Sequence, residues 1–165
     1  MRRSMIGCLL GLAILAPAVA TAVSPGCAEA LAIAPDAGPT VYVLLSPRMP
    51  YALQEWGRMR GLALAAGLEV AAYRDPRVPQ AEWQAAVARA AGADSLGALP
   101  PLDLQRARAC DLLNHSPTAV VAHCGRVHAW PVRGVMPDEA WRHVLAARLA
   151  SLQALPCPPA AEIRG

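Results

Sequence analysis

Residues 115–132, with the sequence HSPTAVVAHCGRVHAWPV, decide the fold of this chain. Ala119 to Ala122 is a short apolar run of strand length that follows a Ser-Pro-Thr sequence. Cys124-Gly125 provides the two residues of a tight turn, and Val127 to Val132 can return as a second strand. An amphipathic helix is predicted from Pro137, where acidic residues in the first turn suit the helix dipole. The segment therefore predicts a β-hairpin followed by a closing helix.

The first half of the chain alternates between strand and helix patterns. Val41 to Leu45 is continuous and apolar, as expected of a central strand covered on both faces. A helix from Tyr51 is predicted to stop at Gly67, and Leu68 to Tyr73 forms the next strand. Because a strand, a helix and a strand of these lengths imply a right-handed crossover, the two strands are predicted to be parallel. Further helices are predicted from Pro79 to Gly92 and from Leu102 to Leu113.

This arrangement resembles a thioredoxin, most clearly in its second half. Pro117 stands where thioredoxin-like folds carry a cis proline, just before the third strand. The resemblance implies an α/β, thioredoxin-like fold with a mixed four-stranded sheet and helices on both faces. After the first strand, where such a fold would place a redox Cys-x-x-Cys, this chain has Ser46-Pro47-Arg48-Met49-Pro50. The loop therefore lacks the thiol that disulfide exchange requires.

Composition at the ends of the chain predicts its domain organisation. Residues 1–22 combine a basic start, an apolar run and small-residue cleavage sites, which is typical of a signal peptide and favours export to the periplasm. An uncleaved membrane anchor is the alternative, although the apolar run is shorter than the ~20 residues of a membrane span. Residues 23–39, rich in Ala, Pro and Gly, are predicted to be a disordered linker before a thioredoxin-like domain at 40–155, with a C-terminal tail at 156–165.

The net charge of the chain bears on whether it binds nucleic acid. The formal net charge is +3, and it falls to +1 when the two leader arginines are removed, because 13 arginines then face 12 acidic residues. So small a charge gives no electrostatic support for direct binding of nucleic acid. No cofactor is predicted.

A second resemblance concerns conjugation proteins. The chain has Leu45 to Pro50 after its first strand, Asp75-Pro76-Arg77-Val78-Pro79 after its second, and a Pro-Thr before its hairpin. In this order of motifs, over residues 40–152, it is similar to exported proteins of integrating conjugative elements and to the F-type pilus assembly family TrbC. The resemblance implies a non-catalytic periplasmic component of a conjugative, type IV secretion-like apparatus, whose partners are other envelope proteins.

The loop after the first strand is the predicted binding surface. Ser46 could be a nucleophile in principle, but no His, Asp or Glu lies within the loop to activate it, so no catalytic residue is predicted. A docking surface is favoured instead, and Trp130, beside a strand proline, is a further contact candidate. The predicted surface comprises Ser46, Pro47, Arg48, Met49, Pro50, Tyr51, Pro117 and Trp130. The tryptophans at 56, 83 and 141 are predicted to be core residues.

The cysteines remaining after leader removal would meet an oxidising compartment. In a thioredoxin-like topology Cys124 and Cys157 end at the same pole, so we expect a disulfide between them. Cys110 could pair with Cys27 or remain a buried free thiol. The alternative function is a periplasmic thiol-disulfide oxidoreductase using Cys110 or Cys124. The hairpin would also bring His123 and His128 to one face, but two ligands do not complete a zinc site, and none is predicted.

Overall fold

The structure is a computed structural model that describes residues 23–49, 51–90 and 96–159. The predicted signal peptide, Pro50 and residues 160–165 of the predicted tail lie outside the described residues. Within those residues the chain forms five helices and five strands, whose bounds in chain order are α1 Pro25–Ala30, β1 Thr40–Leu45, α2 Trp56–Ala65, β2 Glu69–Arg74, α3 Gln80–Val87, α4 Leu104–Ala109, β3 Thr118–His123, β4 Arg126–Val127, β5 Val132–Arg133 and α5 Asp138–Gln153.

The strands form one mixed sheet in the order β2-β1-β3-β4, with β5 also paired to β3. β1 and β2 are parallel, with Leu45 opposite Arg74, and β1 and β3 are antiparallel, with Leu44 opposite Thr118. The sheet is open and carries helices, which is consistent with a thioredoxin-like α/β fold. The predicted fold class is confirmed, including the parallel crossover through α2.

The fourth position of the sheet is interrupted, which is why five strands are present where four were predicted. Ala122 pairs with Val127 and Ala119 pairs with Val132. Between these two pairs β3 spans three residue steps, from Ala119 to Ala122, whereas the outer strand spans five, from Val127 to Val132. The outer strand therefore contains two extra residues. Such a bulge is where a strand tolerates proline, and the interruption contains Pro131. Trp130, beside it, is 61% exposed.

Alternate residues of the central strands enter two hydrophobic cores, one on each face of the sheet. On one face Val41, Val43, Ala119 and Val121 pack with residues of α2, α3 and α5, among them Trp56, Trp83 and Trp141. On the other face Leu44, Val120 and Ala122 pack with α1, α4 and their flanking residues, among them Leu31, Leu102 and Leu112. The three tryptophans predicted to be core residues are all buried.

Residues 23–39 differ from the prediction, because they are packed onto the domain and do not form a linker. The Ser24 backbone N–H donates to the Val127 carbonyl at 2.8 Å, and Val23 forms a β-bridge to His128. α1 follows, and Cys27 within it is 1% exposed in the second core. A disulfide joins Cys27 to Cys110 just after α4, so the segment covers one face of the sheet.

Two helices begin later than predicted. Residues 51–55 form turns, with Tyr51 at a positive φ of 66°, so α2 begins only at Trp56. Leu102 pairs with Arg74 of β2, and the Asp103 carboxylate then caps α4 by accepting from Gln105 and Arg106. The chain beyond α2 turns at Gly67 with φ 76°, as predicted. In the described part of the chain, every helix is too short or too polar to cross a membrane.

Candidate functional site at the end of the central strand

The loop after β1 lies against the residue before Pro117. The Ser46 backbone N–H donates to the Ser116 hydroxyl at 2.6 Å, and that hydroxyl lies 3.3 Å from the Ser46 carbonyl oxygen, to which it donates. The Ser116–Pro117 peptide bond is cis. The loop therefore lies beside Pro117, as the thioredoxin-like arrangement implies.

Asp75, whose side chain is buried, is hydrogen-bonded through its backbone to the residue just before this loop. Asp75 is 1% exposed, and its backbone N–H donates to the Leu45 carbonyl at 2.8 Å. The Asp75 carboxylate accepts two hydrogen bonds from the Arg77 guanidinium, at 2.9 and 2.8 Å, and one from the Arg77 backbone N–H at 2.9 Å. Arg77 also donates to the Leu113 carbonyl, so this ion pair ties the segment before the cis proline to the end of β2.

The ion pair with Arg77 keeps the Asp75 carboxyl ionised. Burial alone would raise the pKa of the Asp75 carboxyl, but the hydrogen bonds and the charge of Arg77 outweigh burial and hold the pKa below its usual value. The Ser46 hydroxyl contributes in the same direction. Asp75 is therefore ionised at neutral pH, and a carboxylate with a lowered pKa is a weak general base.

We expect Asp75→Asn to lower the free energy of unfolding by about 2 kcal/mol near neutral pH, because charge-assisted hydrogen bonds to Arg77 are lost. The lowered pKa means that the stability contributed by ionised Asp75 is complete above the ordinary carboxyl pKa of about 3.9. That contribution is lost as the pH falls through the lower folded-state pKa. Urea unfolding at a series of pH values should show that the wild type loses more stability below about pH 4 than the variant does.

The matched control for this prediction is Glu82→Gln. Glu82 also forms a two-bonded pair with an arginine, Arg48, but both side chains are largely exposed, so stability should change little. Equal losses from Asp75→Asn and Glu82→Gln would contradict the role given to the buried carboxylate.

Two shallow clefts open beside Met49, one on each side of the loop. The first has a volume of about 210 Å³ and lies between the loop and the end of α3, lined by Tyr51, Leu53, Ala86 and Arg89 among others. The second has a volume of about 180 Å³ and is lined by Ser46, Arg48, Asp75, Arg77 and His115 among others. Most residues that line the first cleft are apolar, and Arg89 is its one charged residue; the second contains three charged side chains, those of Arg48, Asp75 and Arg77. The two are therefore called the apolar cleft and the charged cleft.

The residues of the predicted binding surface occupy different positions in and around these clefts. Met49 and Tyr51 are exposed, at 38% and 66%, and Arg48 is exposed beside Glu82. Pro47 is half-buried, whereas Ser46 and Pro117 are buried and support the loop from within. Pro50 lies outside the described residues. Trp130 lies in the bend between β4 and β5, both of which pair with β3, and does not line either cleft.

Sequence reasoning missed Asp75 and His115 as neighbours of Ser46. Both come from other parts of the chain, and only the fold brings them into the charged cleft. Asp75 could have been found from its place directly after a strand parallel to β1, since the carboxyl ends of parallel strands share one edge of a sheet. Both Asp75 carboxylate oxygens accept hydrogen bonds from Arg77, which favours a structural role for Asp75.

Both pairs of described cysteines form disulfides, and none of these four cysteines lines either cleft. Cys124 is bonded to Cys157, the pair expected from the topology, and Cys27 is bonded to Cys110. Cys124 begins the hairpin turn at the end of β3 that is farther from Thr118. Its φ is 48°, and the φ of Gly125, which follows it, is 69°. Two disulfides are typical of a protein that folds in an oxidising compartment.

The two histidines weighed as zinc ligands have separate surroundings. The His123 Nε2 lies 3.4 Å from the Cys124 Sγ. His128 is buried, and its Nδ1 accepts a hydrogen bond from the Trp130 backbone N–H at 3.2 Å. Burial and the positive charge of Arg148 lower the pKa of His128, so it is neutral at physiological pH.

No family model and no curated protein matches this chain.

Proposed function

We propose that the chain is a non-catalytic periplasmic component of a conjugative, type IV secretion-like DNA-transfer apparatus, and that it binds other envelope proteins during envelope or pilus assembly. One observation carries the binding role. The loop that would hold a dithiol in a thioredoxin instead presents exposed Met49 and Tyr51 between two clefts.

The chemistry of the loop suits protein recognition. Met and Tyr are enriched at protein interfaces, and Tyr buries a large area at a small cost in side-chain entropy. The apolar cleft can accept a side chain of a partner, and the charged cleft next to it provides Arg48 and Arg77 for polar contacts at the rim. Ser116 holds the start of the loop at Ser46, and Asp75 holds the end of β1 at Leu45, so the base of the surface is fixed before a partner binds.

Two further observations support the cellular setting. The disulfides are consistent with a protein exported to the periplasm, as the leader sequence predicts. The resemblance to integrating conjugative element proteins and to the TrbC family supports the assignment to a conjugation apparatus. Residues 46–49 of its first motif and Asp75 and Arg77 of its second line the clefts.

In the native host, we expect the double variant Met49→Ser, Tyr51→Ser to lower conjugative transfer by at least about tenfold, the loss in affinity that one interface hot spot can cause. The control is Leu64→Ser, because Leu64 is an apolar side chain of α2 with 46% exposure that lines neither cleft. A photo-crosslinking residue at position 51 should give a defined adduct with an envelope protein, and the same residue at position 64 should not.

The outcomes separate this proposal from its competitor. Unchanged transfer when the gene is deleted would overturn the conjugative role, and equal effects at positions 49, 51 and 64 would overturn the docking surface. The competing oxidoreductase would use Cys110 or Cys124, each of which is bonded to another cysteine. It requires the purified protein to accelerate insulin reduction and either Cys110→Ser or Cys124→Ser to abolish that activity.

A further inference from the structure

Three potential metal ligands cluster at the hairpin pole, opposite the loop. The nearest ligand atoms of His123, Cys124 and Cys157 all lie within 4.8 Å of one another. From this geometry we propose that reduction of the Cys124–Cys157 disulfide creates a two-cysteine, one-histidine site for a thiophilic metal ion such as Zn²⁺. The site is distinct from the pair His123 and His128, because the His128 Nδ1 is engaged by Trp130.

The separations fit a tetrahedral site. With Zn–S at about 2.3 Å and Zn–N at about 2.0 Å, two ligand atoms on a tetrahedral edge lie about 3.5 Å apart for S and N, and about 3.8 Å apart for two S atoms. The His123 Nε2 already lies 3.4 Å from the Cys124 Sγ. The ligand atoms of His123 and Cys157, which lie within 4.8 Å of one another, must reach the S–N edge length while the two sulfur atoms separate from the roughly 2 Å of a covalent disulfide.

The elements that hold the ligands permit this change. His123 is the last residue of β3 and is paired with Arg126, and Cys124 begins the turn, where its N–H donates to the Ala37 carbonyl. A Cβ at Gly125 would meet the Pro35 Cα at 3.3 Å, so the turn is closely packed. Two ligands are therefore fixed. Cys157 is exposed in irregular chain after α5, so its sulfur can move by about 2 Å without disturbing a helix or strand.

The chemistry of the donors selects the metal. Two thiolates and one imidazole favour Zn²⁺ or Cu⁺ over oxygen-seeking cations, and three protein ligands leave a fourth position for water or an external ligand. The His123 Nε2 is the ring nitrogen that faces the Cys124 sulfur.

The reaction requires a dithiol reductant. One thiolate of the reductant attacks the exposed Cys157 Sγ, the S–S bond breaks, and Cys124 leaves as a thiolate. The second thiol of the reductant then resolves the mixed disulfide, so two electrons pass to the protein and the reductant becomes a disulfide. Binding of Zn²⁺ displaces the two protons of the cysteine thiols. Cys27 and Cys110 are buried, at 1% and 4% exposure, so their disulfide is protected while the exposed one opens.

The test is zinc binding to the full chain after treatment with a dithiol reductant, which is removed without oxygen. Mass spectrometry of alkylated peptides reports which disulfide opened, and circular dichroism reports the fold. We expect one Zn²⁺ per reduced chain and none per oxidised chain, and Co²⁺ should give a thiolate charge-transfer band. His123→Ala should weaken zinc binding by more than about tenfold. Loss of a residue that only orients a metal ligand already lowers metal affinity by about tenfold or more, and His123 is itself a proposed ligand.

The control is His143→Ala, which removes an exposed histidine of α5 outside the cluster and should leave the affinity unchanged. Absence of zinc from the reduced chain would overturn the proposal, as would equal affinities of the wild type and His123→Ala. It would also fail if Cys27–Cys110 opened first, or if zinc binding required loss of the helical signal. These results do not depend on conjugative transfer, so the site and the proposed function can fail separately.

Discussion

Replacement of Trp141 by alanine is expected to lower the free energy of unfolding by about 3–5 kcal/mol, the range for removal of a buried aromatic side chain. Trp141 lies in the first turn of α5, is 1% exposed, and belongs to the core cluster that includes Val121 and Leu145. The variant loses the transfer free energy of the indole ring, and it also leaves a cavity between α5 and the sheet. Urea denaturation of the folded, disulfide-bonded protein measures the loss.

Trp130→Ala is the matched control, because it removes the same side chain from a position that is 61% exposed. Its effect on stability should stay within about 0.5 kcal/mol. A similar loss in both variants would contradict the placement of Trp141 in the core and of Trp130 on the surface bulge.

Loss of the Cys27–Cys110 disulfide should have a comparable effect. The bonded residues are separated by 83 positions, and in the chain-entropy model a loop of this size corresponds to about 4.5 kcal/mol of stabilisation. We expect the double variant Cys27→Ala, Cys110→Ala to lose about that amount in urea denaturation. α1 should then become the first described element to exchange its amide hydrogens, because the disulfide anchors it next to α4.

The second disulfide provides the control. Cys124 and Cys157 are separated by 33 positions, which corresponds to about 3.7 kcal/mol in the same model. The double variant Cys124→Ala, Cys157→Ala should therefore be the more stable of the two. The opposite order would show that loop length does not determine how much each bond stabilises the protein.

The fold was predictable where local chemistry and the hydrophobic pattern agree. The Cys-Gly dipeptide predicts a tight turn between two apolar runs, and the structure has positive φ at both positions. Gly67 likewise marks a turn after α2 that few other residues tolerate. The packing of residues 23–39 was not predictable locally, because α1 has little periodic pattern and is held by Cys110, far along the chain.

The candidate site was predictable only in part. Met49 and Tyr51 could be recognised because they follow the first strand, where thioredoxin-like folds place their reactive group. The Asp-Pro sequence by itself indicates only a turn, and the role of Asp75 beside the loop follows only when β2 is placed next to β1, which brings Asp75 to Leu45. The bulge at Pro131 was also missed, because a register shift depends on both paired strands.

Residues 23 and 24, which pair with the outer side of the hairpin, limit self-association through that edge of the sheet. An open sheet edge is a template for strands of other molecules, and long exposed edges promote aggregation. Val23 and Ser24 occupy the outer edge of β4 and His128, so a foreign strand cannot add there without first displacing this chain's own residues. At the other edge, Arg74 at the end of β2 is paired with Pro100 and Leu102, which shortens the stretch open to strand exchange.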